Sequence, residues 1–273
     1  LTPSDTLTMF WRAKVYQRLG TLDVALGDAE KTIQREPDNR NQYCEHAILL
    51  RQKGDYELAL ADLQKVIDFG PEQDKQWFRV TKALEMRGDI YLTNLKEYDK
   101  AIEEYAKVQA REPLNAVAMN YAGTLLLSGK AEEYRQACVE TLERFGSSNN
   151  AIQLVQAALC CVLAPDAVTD PMQPVKLAER AVAMASKSME SLHVLGMTYL
   201  RAGQFDLAAR NFHESLAAEP ELYANFNNRL GLSLVHYRRG EMEAARRWFA
   251  EATEWIDQHP DECMLEARSW LEK

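Results

Sequence analysis

Glycine and proline are both scarce in this chain, at 12 and 9 of 273 residues. Many tight β-turns and long irregular loops are therefore not expected. Positive charge is short: 32 Lys and Arg stand against 41 Asp and Glu, for a formal net charge of -9. A nucleic-acid backbone or an anionic lipid surface calls for a basic footprint, so neither is expected as a partner. No apolar run approaches the ~20 residues that a membrane span needs. Cysteine is limited to Cys44, Cys138, Cys160, Cys161 and Cys263, an odd number with no C-x-x-C spacing. That pattern predicts small buried hydrophobes in a reducing, cytoplasmic setting, without a disulfide framework. The chain begins at Leu1 rather than methionine, so the lack of a leader says little of any parent protein.

Catalytic and metal-binding patterns are missing too. Asp68, Phe69 and Gly70 spell a kinase magnesium motif, but no H-R-D and no glycine-rich phosphate loop accompany them. The better reading is a helix end, with Gly70 as cap and Pro71 as stop. His46, His193, His213, His236 and His259 include no pair at the i, i+4 spacing of a helical zinc site. Gly129-Lys130 lacks the upstream glycine of a P-loop, and no G-x-S-x-G occurs. Cys160-Cys161 reads as core rather than as an activated thiol. Asp166 and Asp170 read as exposed loop carboxylates. No cofactor, metal or catalytic residue is assigned, and an enzyme is not expected.

What the chain does have is a period and, at 47% hydrophobic residues, enough apolar surface for a continuous core. Gly20 and Gly54 are 34 apart, as are Pro37 and Pro71. Around Gly20 stand Tyr16, Leu22, Ala25 and Leu26, and around Gly54 stand Leu50, Tyr56, Ala59 and Leu60. A third unit shows Gly88, Tyr91, Tyr98, Ala101, Ile102, Tyr105 and Pro113, with one extra residue in its turn. A sixth shows Leu192, Leu195, Gly196, Tyr199, Gly203, Phe205, Ala208, Phe212 and Pro220, and a seventh Leu232, Gly240, Met242, Ala245, Phe249 and Ala252. Apolar residues at helical spacing give each helix a buried stripe. Small residues such as Gly196, Ala208 and Ala245 let paired helices approach. The mid-unit glycine accepts a tight turn, and the closing proline forces the chain into the next unit.

One hairpin cannot bury its own stripe, but a stack of hairpins can. The expected fold is all-α: an α-solenoid of about seven helical hairpins, about fifteen helices with a C-terminal capping helix, and no sheet. It is read as one domain over 1–273. Regular repeats fall at about 6–39, 40–73, 81–114, 189–222 and 226–259, degenerate ones at about 115–148 and 150–188, and the cap at 261–273. In the fifth unit a first helix is expected over Ala151–Leu163, with Pro174 opening the next helix. The connection 164–173 is expected to be the longest ordered interruption and to project from the edge.

These positions match the signature of the tetratricopeptide-repeat (TPR) superfamily, which the chain closely resembles over most of its length. Tyr134–Gly146, Cys160–Val182 and Gly231–Ala252 further resemble the TPR tails of large planctomycete-type bacterial proteins, where a Ser/Thr kinase or WD-repeat module often precedes. The resemblance implies a protein-interaction scaffold, holding a peptide or protein segment in a concave groove. The alternatives are a structural spacer or homo-oligomerisation unit, and part of an enzyme whose catalytic domain lies outside the chain. It also implies which residues line the groove. In the first two units Lys14, Gln17, Arg18, Asn41, Glu45, Arg51 and Gln52 make a mixed polar surface. In the second half the candidates are Met119, Asn120, Leu126, Val155, Leu159, His193, Met197, Arg201, Leu234, Tyr237 and Arg238, which suit a partner with apolar anchors. The carboxylate clamp of chaperone-binding TPR domains is broken: Lys14 and Lys82 fit it, whereas Glu45 and Met86 stand where Asn and Arg are needed.

Overall fold

The computed structural model describes residues 5–70, 77–111, 117–184, 188–218 and 225–258. Among them are fourteen α-helices, one π-helix and no strand, as the repeat pattern predicts. The expected cap at 261–273 lies outside the described residues. The chain falls into two compact units, Leu1–Val117 and Ala118–Lys273.

The first unit contains α1 (Thr6–Arg18), α2 (Leu22–Arg35), α3 (Arg40–Lys53), α4 (Tyr56–Asp68), α5 (Trp77–Asp89), a π-helix (Ile90–Leu95) and α6 (Tyr98–Gln109). Consecutive helices pack on each other. Ala25, Leu26 and Ala29 of α2, Ala47 and Leu50 of α3, Leu63 and Val66 of α4, and Ala83 and Met86 of α5 share one core. The turn after α3 shows why a glycine stands there. Gly54 takes φ 95°, and the Asp55 amide reaches back to the Leu50 carbonyl at 2.9 Å, closing the helix end. Gly70 adopts φ 67° just past α4, so the D-F-G triplet is a helix stop.

Each hairpin of this unit carries a polar tie across its two helices. Arg12 pairs with Asp28 at 2.5 Å, His46 with Asp62 at 2.5 Å, and Arg87 with Glu104 at 3.3 Å. The separation is 16 residues in the first two pairs and 104 − 87 = 17 in the third. The additional residue of the third repeat lies in the π-helix, the form a one-residue insertion takes inside a helix. Lys96 then makes the turn at φ 59°, where other hairpins use glycine. Gly88 is helical and lies against the Tyr105 ring.

The second unit contains α7 (Val117–Leu127), α8 (Ala131–Phe145), α9 (Ala151–Cys160), α10 (Met172–Met184), α11 (Met189–Arg201), α12 (Phe205–Ala218), α13 (Asn225–Arg238) and α14 (Met242–Gln258). Asn150 and Ser188 cap α9 and α11 by accepting amide hydrogens of the first turn. Phe212 of α12 is fully buried, with its ring between Gly196 of α11 and Gly231 of α13. A side chain at either glycine would meet the ring, so this close approach explains the small residue at Gly196.

Three local expectations need correction. The first helix of the fifth repeat ends at Cys160, not Leu163, and Pro174 is the third residue of α10 rather than its first. A first-turn amide has no partner in its own helix, so proline is tolerated at any of these places. The connection accordingly runs from Cys161 to Pro171, and it does not simply project. Cys161, Val162 and Ala167 are buried, leaving Pro165, Asp166, Thr169, Asp170 and Pro171 exposed. Arg201 holds it down by donating to the carbonyls of Val162 (2.8 Å) and Leu163 (3.1 Å). Asp170 accepts from the Met172 amide at 2.9 Å and so opens α10.

Candidate protein-interaction surface

In each hairpin the first helix carries the candidate groove residues. Within the second unit α9 packs beside α11 and α11 beside α13, forming a row of first helices. On that row the expected residues divide into three sets. Val155 is buried, and His193 and Arg201 are engaged: His193 Nδ1 lies 2.8 Å from Asn228 Oδ1, and Arg201 serves the connection. His193 also faces the Phe212 ring at 5.8 Å. These three join neighbouring elements rather than present a free surface. Leu159 and Met197 are half-buried on the same row, as are Met119, Asn120 and Leu126 on α7. Leu234, Tyr237 and Arg238 of α13 are exposed, the first two at 44% and 58%, and Arg238 lies 6.0 Å over the Phe205 ring. Ile152 near the start of α9 and Leu127 at the end of α7 are exposed apolar residues.

The first unit is more polar on its first helices, and its polar groups are tied to one another. Lys14 pairs with Glu45 between α1 and α3. Gln17 Nε2 donates to Gln52 Oε1 at 3.0 Å. Arg51 donates to Asn94 Oδ1 and Thr93 Oγ1, both at 3.0 Å. Lys82 is paired with Glu85 at 3.0 Å, and Met86 is buried. Of the two clamp-like lysines, each therefore already has a carboxylate. What the sequence reading missed is α1 itself. Leu7, Trp11 and Val15 recur every four residues and are all exposed, Trp11 at 61%. The four-residue spacing is visible in the sequence, but spacing alone does not distinguish a covered stripe from an exposed one.

Burial lowers the pKa of His193 below the ordinary imidazole value, and that of His213 likewise. The remaining described histidines have local partners: His46 holds Asp62, and His236 Nδ1 lies 2.5 Å from Glu241. Among the described residues, no group of three or more His, Cys, Asp or Glu converges as a metal ion requires. No helix among them is long and apolar enough to cross a membrane.

Two tetratricopeptide-repeat family models match the chain, over residues 81–113 and 193–262. The first span covers α5, the π-helix and α6, and the second begins in α11 and takes in α14. A search of the curated proteins gives no match. Among solved structures, a tetratricopeptide repeat protein from Parabacteroides merdae is similar over 93% of this chain and 94% of its own, at 14% identity and a TM-score of 0.61. PilW, a type IV pilus biogenesis factor, is 14% identical over 97% and 98% of the two chains, with a TM-score of 0.49. MamA from Desulfovibrio magneticus is 17% identical over 81% and 97%, with a TM-score of 0.44. The Parabacteroides merdae protein shares the fold of this chain. The helix pairs, glycine turns and matched spans together define an α-solenoid. The two matched spans are tetratricopeptide repeats, and the fold of the described residues is that of a tetratricopeptide-repeat solenoid. These matches do not bear on the narrower resemblance to kinase or WD-repeat tails.

Proposed function

We propose that this chain is a non-catalytic protein-interaction scaffold that holds a partner segment through apolar anchors on the first-helix row of its second unit. The observation that carries the reading is the exposed pair Leu234 and Tyr237 beside Arg238 on α13. Large apolar side chains are costly to leave wet, and grouped exposure marks binding surfaces. Tyrosine and arginine are also the residue types that most often dominate interface energies. The half-buried Met197 and Leu159 extend the row toward α9. An amphipathic helix or an extended peptide with an acidic flank suits such a strip. The tied lysines of the first unit argue against a bare terminal carboxylate as the ligand.

The test is a paired substitution, Leu234→Glu with Tyr237→Glu. Both sites are exposed, so the helicity and unfolding midpoint should be kept. Partners captured by wild-type protein should bind the variant at least ten-fold more weakly by calorimetric titration. Unchanged affinity would remove this face as the site. A second reading rests on α1, whose Leu7, Trp11 and Val15 suit self-association or a structural spacer. Light scattering over a concentration series, repeated with Trp11→Lys, separates the two readings.

A further inference from the structure

A group of thiols in the second unit has no part in the proposed interaction. Tyr134 and Cys138 lie one turn apart on α8, and both face the end of α9. Cys138 Sγ lies 3.6 Å from the carbonyl oxygen of Cys160, the residue before Cys161. Cys161 Sγ lies 3.8 Å from the Cys138 carbonyl oxygen. Both sulfurs therefore sit in one contact between α8 and the end of α9, with Cys161 Sγ against the main chain of Cys138 and Cys138 Sγ against that of Cys160. Tyr134 fixes the approach, since its hydroxyl donates to the Cys160 carbonyl at 3.0 Å and accepts from the Ala164 amide at 3.3 Å. All the described cysteines are unbridged, and Cys138, Cys160 and Cys161 are 1%, 4% and 3% exposed.

We propose that Cys138 and Cys161 are a peroxide-responsive thiol pair, which closes to a disulfide and staples α8 to the connection that begins at Cys161. The chemistry takes two steps. The Cys138 thiolate attacks the peroxide oxygen, forming an S–O bond as the O–O bond breaks, and the departing alkoxide takes up the Cys138 proton to leave as an alcohol. Cys161 sulfur then attacks the sulfenic sulfur, forming the S–S bond and releasing water with the Cys161 proton. Two thiols are oxidised and one peroxide is reduced. The order of attack follows from their contact. The interaction between the two thiols holds the Cys138 pKa down and pushes that of Cys161 up, so Cys138 is the one that ionises first. Cys160 is pushed up to about 12 by burial and stays a spectator. Closure would link the two ends of the segment 138–161, so the linked form should resist unfolding more strongly.

The experiment takes the full 273-residue chain, fully reduced and desalted, and adds one equivalent of tert-butyl hydroperoxide. Thiols are counted after denaturation and the protein is mapped as non-reduced peptides. The expected result is a fall from five free thiols to three, a linked peptide joining Cys138 to Cys161, and an upward shift of the unfolding midpoint by a few degrees that dithiothreitol reverses. Cys160→Ala should keep the link, and Cys138→Ser or Cys161→Ser should abolish it. If a serine variant fails to fold, the wild-type peptide map decides alone. A retained count of five thiols, a dominant link through Cys160 or Cys44, or sulfinic acid at Cys138 without a link would overturn the proposal.

Discussion

Substituting Gly196 by alanine sets two known effects against each other. In an open helix position the change stabilises by up to about 1 kcal/mol, because glycine loses more backbone freedom on folding. At Gly196 a new Cβ would lie 2.7 Å from Phe212 Cδ1, well inside ordinary contact. The ring cannot retreat toward α13, because a Cβ at Gly231 would already lie 2.6 Å from Phe212 Cζ. Overpacking of a closed core typically costs about 1–3 kcal/mol. The sum predicts a net loss of up to about 2 kcal/mol for Gly196→Ala, and about the same for Gly231→Ala. Gly123 in α7 is the internal control, since a Cβ there has nothing within 4 Å. Gly123→Ala should leave stability unchanged or raise it by up to about 1 kcal/mol. Urea unfolding followed by helical circular dichroism reads all three. A Phe212→Leu background should remove most of the Gly196→Ala penalty, because the clash partner has gone. If Gly196→Ala proved as stabilising as Gly123→Ala, the sandwich around Phe212 would not set the α11–α13 spacing.

Three further outcomes are expected. Burial holds the His193 pKa below its unfolded value, so the unfolded chain binds a proton that the native chain does not; stability should fall as the pH drops below about 6.5. His193→Gln should flatten that fall between pH 7.5 and 5.5 in urea titrations, leaving the smaller slope from His213, and equal slopes for the two proteins would refute the assignment. Hydrogen bonds from Arg12 hold the Asp28 carboxyl below its ordinary range; its contribution is present at neutral pH and lost as the pH falls below about 4, so Asp28→Asn should flatten the acid limb of the stability curve. Arg201→Ala leaves the Val162 and Leu163 carbonyls without their donor, which should cost about 1–3 kcal/mol; hydrogen exchange of 161–171 should quicken, and exchange at the wild-type rate would show that the connection is held by other contacts.

The repeat was legible because its marks are backbone marks. Gly20, Gly54, Gly129, Gly203 and Gly240 all adopt positive φ at helix ends, a conformation that other residues rarely take, so glycine spacing alone places the turns. The exceptions are equally physical. Lys96 and Asp166 adopt φ 59° and 57° without being glycine, and both lie where the repeat departs from its period. The π-helix absorbs an inserted residue in one case, and an anchored connection replaces the short turn in the other. Surface use is a different kind of property. Repeat position places a side chain on the first-helix face, but only the neighbouring helix decides whether it is covered. Val155 is covered and Tyr237 is not, though both were expected on one surface. The same holds for Arg201, which sits at a groove position by register and spends its guanidinium on two carbonyls 38 and 39 residues earlier in the chain. A register argument carries no information about such distant acceptors, because the irregular connection that supplies them has no period. The exposed stripe of α1 fails in the opposite direction: Leu7, Trp11 and Val15 satisfy the core pattern, yet no described helix covers them. Periodicity thus fixes which residues share a face, while the presence of a covering element fixes whether that face is core or surface.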